Sequence, residues 1–98
     1  MRRYFLDRLP LIRLLIRPDF LRCSAKVQNV SATGLAIVSN RFLEPGSVLA
    51  VQLQRKSMGV SGILSAKVVY SVAQCDGTWL CGCRLSRSLT DDELIALL

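Results

Sequence analysis

The 98-residue chain contains no histidine, which removes the commonest metal ligand and the usual general base at neutral pH. Acidic residues are also sparse, and no carboxylates are paired outside the short run Asp91-Asp92-Glu93. The four cysteines, Cys23, Cys75, Cys81 and Cys83, form neither a CxxC knuckle nor a second ligand pair, so no metal is expected. With no base, no acid pair and no setting that would activate a thiol, nothing supplies catalysis, and the chain reads as a non-enzyme without a cofactor. Aromatics are few: one Trp, two Tyr and three Phe. Barrels that bind RNA or single-stranded DNA interleave aromatic and basic residues on a strand face. Here the strands carry only Tyr70 and Trp79, both assigned to the inner face, so that function is the least favoured alternative. No apolar run approaches the ~20 residues of a spanning helix, because "LPLIRLLI" is interrupted by Arg13. Arginines recur where a secretory signal would be uncharged, and no small-residue cleavage site follows. The expected location is a bacterial-type cytoplasm with reduced thiols. Internal repeats, low-complexity segments and interdomain linkers are absent as well.

What is present fits one domain with a modest core. Half of the residues are apolar and the charged fraction is ordinary, as in a globular chain. The net charge of +6 is unevenly spread. Residues 1–22 carry six arginines against Asp7 and Asp19, a net +4, and every cation there is Arg. Its planar fork of donors suits phosphates and guanine edges and stacks on rings, so an anionic partner is indicated.

From Arg22 onward the hydrophobic pattern has period two. Cys23, Ala25 and Val27 alternate with polar residues, and "GLAIV" follows the turn-like "NVSATG" of Asn29 to Gly34. "EPGS" (residues 44–47) is a turn, after which Leu49, Val51 and Leu53 share a face. In the longest run Val60, Leu64, Ala66, Val68, Tyr70 and Val72 share one face. Asp76-Gly77 is a hairpin signal, and the return strand "WLCGCRL" places Cys81 and Cys83 with Trp79 and Leu85 on a buried face. The last segment changes period. Thr90 and Glu93 have capping-box spacing, Asp91 and Asp92 suit the positive end of a helix dipole, and Leu89 and Leu94 occupy staple positions. A short terminal helix should dock through Leu94, Leu97 and Leu98. Residues 1–21 fit a helix broken at Pro10, a strand from Leu11 to Ile16, or both in sequence. Five or six antiparallel strands with short connections imply an all-β barrel or sandwich.

Two motifs sharpen this. "RLLIR" (Arg13 to Arg17) is an RxxxR pair, and "NVSATG" has Asn or Asp, any residue, Ser, two of any, then Gly. With the all-β layout, "FLEPGSVLAVQL" and the closing "GTWLCGCRLSRSLTDDELIALL", the chain resembles the PilZ domain family of bacterial cyclic di-GMP receptors. The resemblance implies a six-stranded antiparallel PilZ-type β-barrel with a short C-terminal α-helix. It also implies an Arg-rich segment, residues 1–21, folded across the mouth of a barrel formed by residues 22–98, in one domain overall. Its function would be a non-catalytic second-messenger receptor, with Arg13, Arg17, Asn29, Ser31 and Gly34 contacting cyclic di-GMP. Arg13 and Arg17 would pair phosphates or the O6 and N7 edge of guanine. Asn29 would accept from guanine N–H groups, Ser31 would hydrogen-bond ligand or loop, and Gly34 would allow a positive φ and close approach. Ile12 stands where the family usually has a further Arg, and only 11 residues separate Arg17 from Asn29. Arg8, Arg22 and the Arg2-Arg3 pair are therefore additional candidates. The alternative is a PilZ-like adaptor that binds no nucleotide and acts on a downstream protein of motility or pilus machinery. Tyr4, Phe5, Leu6, Leu9 and Leu11 would then form its contact surface or a homodimer element.

Overall fold

The structure, a computed structural model, describes residues 4–5, 11–16, 21–54 and 61–97, with side chains for residues 16, 25–52 and 64–94. In chain order its elements are β1 (Tyr4–Phe5), β2 (Leu11–Ile16), β3 (Leu21–Ser31), β4 (Gly34–Ser39), β5 (Val48–Gln54), β6 (Ser61–Ala73), β7 (Trp79–Leu85) and α1 (Asp91–Leu97). Six of the strands close a ring in the order β3-β2-β5-β6-β7-β4, and β4 returns to pair with β3. Every pairing is antiparallel. Closure leaves these strands no open edge, which is how an all-β chain of this size avoids edge-to-edge association. Leu11–Ile16, which the sequence places in the Arg-rich N-terminal segment, is one of the staves, held between β3 and β5. The two residues of β1 lie on the same edge of β3 beyond the end of β2, with Tyr4 opposite Val30 and Phe5 opposite Asn29.

Alternation explains the core in most strands. Leu35 and Ile37 of β4, Leu49 and Val51 of β5, and Cys81, Cys83 and Leu85 of β7 all point inward and are buried. Burial pushes the Cys83 thiol up to about 12, with a smaller contribution from nearby Cys81, so Cys83 behaves as a small core hydrophobe.

Two strands break strict alternation. In β3 the register shifts between Val27 and Asn29, and in β6 between Val68 and Tyr70. Each shift is a β-bulge, one extra residue that reverses the facing of everything after it. Leu64, Ala66 and Val68 are buried as the pattern predicts. Beyond the bulge Tyr70 and Val72 face outward, 41% and 53% exposed, where the sequence placed them inside. Ser71 takes the inward position instead. Its hydroxyl donates to the Leu43 carbonyl, and its oxygen lies 3.4 Å from Cys81 Sγ. Val60, grouped with the same face from sequence, lies outside the described residues.

The turn at Glu44 to Ser47 is fixed beside the second bulge. Ser47 N–H donates to the Glu44 carbonyl at 3.0 Å, and Gly46 N–H to the Val68 carbonyl at 2.7 Å. Gly46 has φ of +94°, which a Cβ would disfavour although nothing lies within 4 Å of it. At the other end of the chain, Thr90 and Glu93 form the expected capping box. Thr90 N–H donates to Glu93 Oε1 at 3.0 Å, and Glu93 N–H donates to Thr90 Oγ1 at 3.2 Å. Arg87 adds two hydrogen bonds of 2.8 Å to the same carboxylate. Leu89 and Leu94 pack on the core from either side of this cap.

Two stability measurements test this account. Gly46→Ala should lower the unfolding free energy by about 1 kcal/mol, read as a lower urea midpoint at unchanged m. An unshifted midpoint would show that the turn tolerates a Cβ. The Arg87 hydrogen bonds, with help from the Thr90 N–H, draw the Glu93 carboxyl down to about 2 from an ordinary 4.5. A carboxylate depressed by folding stabilises above its unfolded pKa, and that share is lost as pH falls from about 4.5 towards 2. The pair is exposed on the Arg87 side, so the loss should be at most about 1 kcal/mol. Glu93→Gln should flatten that part of the acid profile, and an unchanged profile would refute the assignment.

Candidate functional site

The residues of "NVSATG" span the end of β3, a two-residue turn and the start of β4. Val30 is buried in the core, so Asn29 and Ser31 on either side of it point to the outer face of the barrel. Neither is freely exposed, at 7% and 4%, and Asn29 is already engaged in an interaction. The turn itself is held at its carbonyls. Leu85 N–H donates to the Thr33 carbonyl at 2.9 Å, and Leu89 N–H to the Ala32 carbonyl at 2.6 Å.

Strand register carries this outer face across four staves. Ser31 pairs with Gly34, Gly34 with Arg84, and Arg84 with Lys67. One step away, Asn29 pairs with Ala36, Ala36 with Gly82, and Gly82 with Tyr70. Small residues thus floor an open groove of about 290 Å³, with Ser31, Thr33 and Gly34 on one side and Tyr70, Gly82 and Arg84 on the other. The Tyr70 ring lies against the Gly82 backbone. A Cβ on residue 82 would sit 2.1 Å from Tyr70 Cε2, so glycine there makes room for the ring.

Gly34 serves a different purpose from the one expected. Its φ is not positive; the positive-φ glycines among the described residues are Gly46 and Gly77. The absent side chain instead permits close packing of β4 on β7, because a Cβ would lie 3.0 Å from the Cys83 carbonyl oxygen.

The structure gathers Asn29, Ser31 and Gly34 and does not bring Arg13 to them. Arg13 is opposite Ser24, seven residues before Ser31 along β3, a separation of roughly 24 Å at the usual strand rise. Arg22 pairs with Leu15, further still from the motif. Arg8 and Arg17 lie outside the described residues. Tyr70, Lys67 and Arg84 escaped sequence reading, since period two put Tyr70 inside and nothing marked the cations as neighbours. The glycine within the strand "CGC" was the available signal, because a strand glycine marks a close approach.

The family model for the PilZ domain matches residues 2–98. The chain belongs to the PilZ domain family. That family is one of cyclic di-GMP receptors, generally non-catalytic, and its barrel agrees with the closed ring described above. Among solved structures, the chain is similar to the Bacillus subtilis inhibitor of motility (MotI/DgrA), with a TM-score of 0.62 at 17% identity. The match covers 99% of this chain and 48% of that one, so the chain spans about half the length of its structural neighbour and shares its fold. No curated protein matches the sequence. Among the described residues, no helix is long and apolar enough to cross a membrane.

Gly34→Ala provides a direct check on the packing at the motif. It should destabilise the barrel by about 1 kcal/mol through overpacking against β7, a fall in Tm of roughly 4–8 °C for a domain of this size. An unchanged Tm would show that the strands yield without strain.

Proposed function

We propose that the chain is a non-catalytic cytoplasmic receptor for cyclic di-GMP, with Ser31 and Gly34 on one wall of the outer groove and arginines as the partners of its phosphates and guanine edges. The observation that carries this reading is the outward placement of the motif beside an open groove whose described cation, Arg84, is exposed. Family membership supports the ligand. Arg13 stands in the middle of a stave, paired on both sides and away from the motif. Guanidinium groups suit this ligand because two parallel N–H donors match both a phosphate and the O6–N7 edge of guanine.

Calorimetric titration of the folded chain with cyclic di-GMP should give a saturable heat at micromolar concentrations. Ser31→Ala should weaken binding by about 1.5–3 kcal/mol, the range of a lost charged hydrogen bond. Arg13→Ala should leave the affinity unchanged. No heat from a protein shown to be folded would overturn the receptor reading.

A second reading is favoured by the exposed apolar side chains Val69, Val72 and Phe42. In it the chain is an adaptor that binds a protein and no nucleotide; the similar Bacillus subtilis protein is an inhibitor of motility. Light scattering with and without residues 1–12 separates self-association from this role.

A further inference from the structure

A second feature of the outer face extends past the groove and belongs to neither family motif. Alternation around buried Ile37 and Cys81 turns Val38 and Leu80 outward, and the bulge in β6 turns Val72 the same way. The pairings Val38–Leu80 and Leu80–Val72 set these three side by side on β4, β7 and β6. Val69 prolongs the apolar surface along β6, and Val69 and Val72 are 57% and 53% exposed. Scattered exposed apolar residues are ordinary, whereas a contiguous apolar strip with a polar rim marks an interaction surface. Here the rim is cationic at both ends. Lys26 is the register partner of Val38, and at the other end Lys67 lies opposite Arg84. All three cations are exposed, and none has a described carboxylate as a cross-strand neighbour.

The backbone beneath the strip has nothing to offer a partner. β4, β7 and β6 are each paired on both sides within the closed ring, so no strand can be added there. A segment that settles on this face must satisfy its own backbone hydrogen bonds, as a helix does. Three strands span roughly 10 Å at the usual spacing, the width of one helix. Along β4, the run from Gly34, the partner of Arg84, to Val38 is roughly 13 Å, or about nine residues of helix.

We propose that Val38, Leu80, Val72 and Val69 form a docking surface for an amphipathic helix of a partner protein. The helix lays its apolar stripe on the strip and places acidic residues against Lys26 at one end and against Lys67 and Arg84 at the other. Val38, Leu80, Val72 and Lys26 stand outside the lining of the groove, so this surface does not depend on whether the groove takes a nucleotide.

The test uses the full chain labelled with 15N and a synthetic helical peptide of about 15 residues, with leucines at i, i+3, i+4 and i+7 spacing and glutamates at both ends. On saturation, the amide signals of Lys26, Val38, Val69, Val72 and Leu80 should shift. Val72→Asp should weaken the peptide by about tenfold or more, since it sets a charge in the apolar contact. Lys26→Glu should weaken it by about three- to tenfold, and a peptide with lysines replacing the glutamates at one end should restore the affinity. Thermal melts verify that each variant is folded, and the charge-swap rescue separates a lost contact from lost structure. Shifts confined to another face, equal binding of an all-lysine peptide, or no binding at millimolar concentration would overturn the proposal. So would a dimer by light scattering that Val72→Asp dissociates, which assigns the strip to a second copy of the chain. Binding to phosphatidylglycerol vesicles that Val72→Asp abolishes, with no response to the peptide, assigns it to a membrane surface and also overturns the helix. Each of these failures leaves the receptor reading, which rests on the groove, in place.

Discussion

One extra residue in β3 decides where the family motif faces. Gln28 interrupts the pairing with β4, so that Val27 and Val30, three apart, are both fully buried. In an uninterrupted strand the two would lie on opposite faces. If Val27 kept its place, Val30 would turn to the outer face while Asn29 and Ser31 entered an apolar core without the partners they need. The bulge therefore makes a stable core and an outward motif compatible. It has a local cost, since Gln28 Oε1 is buried with no hydrogen-bond partner among the described residues.

The second bulge, at Val69, does the same on the far side of the face. Between them lies the row Asn29, Ala36, Gly82, Tyr70, bracketed by a bulge on each flanking strand. The two inner strands present small residues, Ala36 and Gly82, along this row, leaving a hollow rather than a ridge. The Tyr70 ring enters it because position 82 has no Cβ to collide with. Packing inside and outside the barrel thus shares one geometry: the reversal that seats Ser71 against Leu43 and Cys81 also turns the aromatic ring outward.

The motif turn is further tied to the end of the chain. The Ala32 and Thr33 carbonyls accept N–H groups from Leu89 and Leu85, on either side of the approach to α1. Leu89 is buried beneath the helix cap as well. The turn is held by backbone bonds from a segment more than fifty residues away, which fixes the outer wall of the groove without using the side chains of Asn29 or Ser31 in those bonds.

Much of this was legible in the residues themselves. Period-two alternation gave the strands and most of the core, as at Leu35, Ile37, Leu49 and Val51. Thr90 and Glu93 marked the helix start because capping depends on residues three apart in sequence. Asp or Asn, Ser and Gly at fixed spacing marked the family. What could not be read was anything that depends on register between strands. A bulge adds a residue without any residue type that demands it, so Tyr70 and Val72 were assigned to the wrong face. The requirement at Gly34 comes from the carbonyl of Cys83, 49 residues further along the chain, and not from its own φ. The RxxxR spacing pointed to Arg13, yet the pairing of β2 with β3 and β5 set that residue far from Ser31. Local physics, in propensity, alternation and capping, is written in short windows and determined the class of fold. The composition of the groove was decided only by tertiary structure, because cross-strand neighbours such as Ser31, Gly34, Arg84 and Lys67 meet through register that no short window encodes.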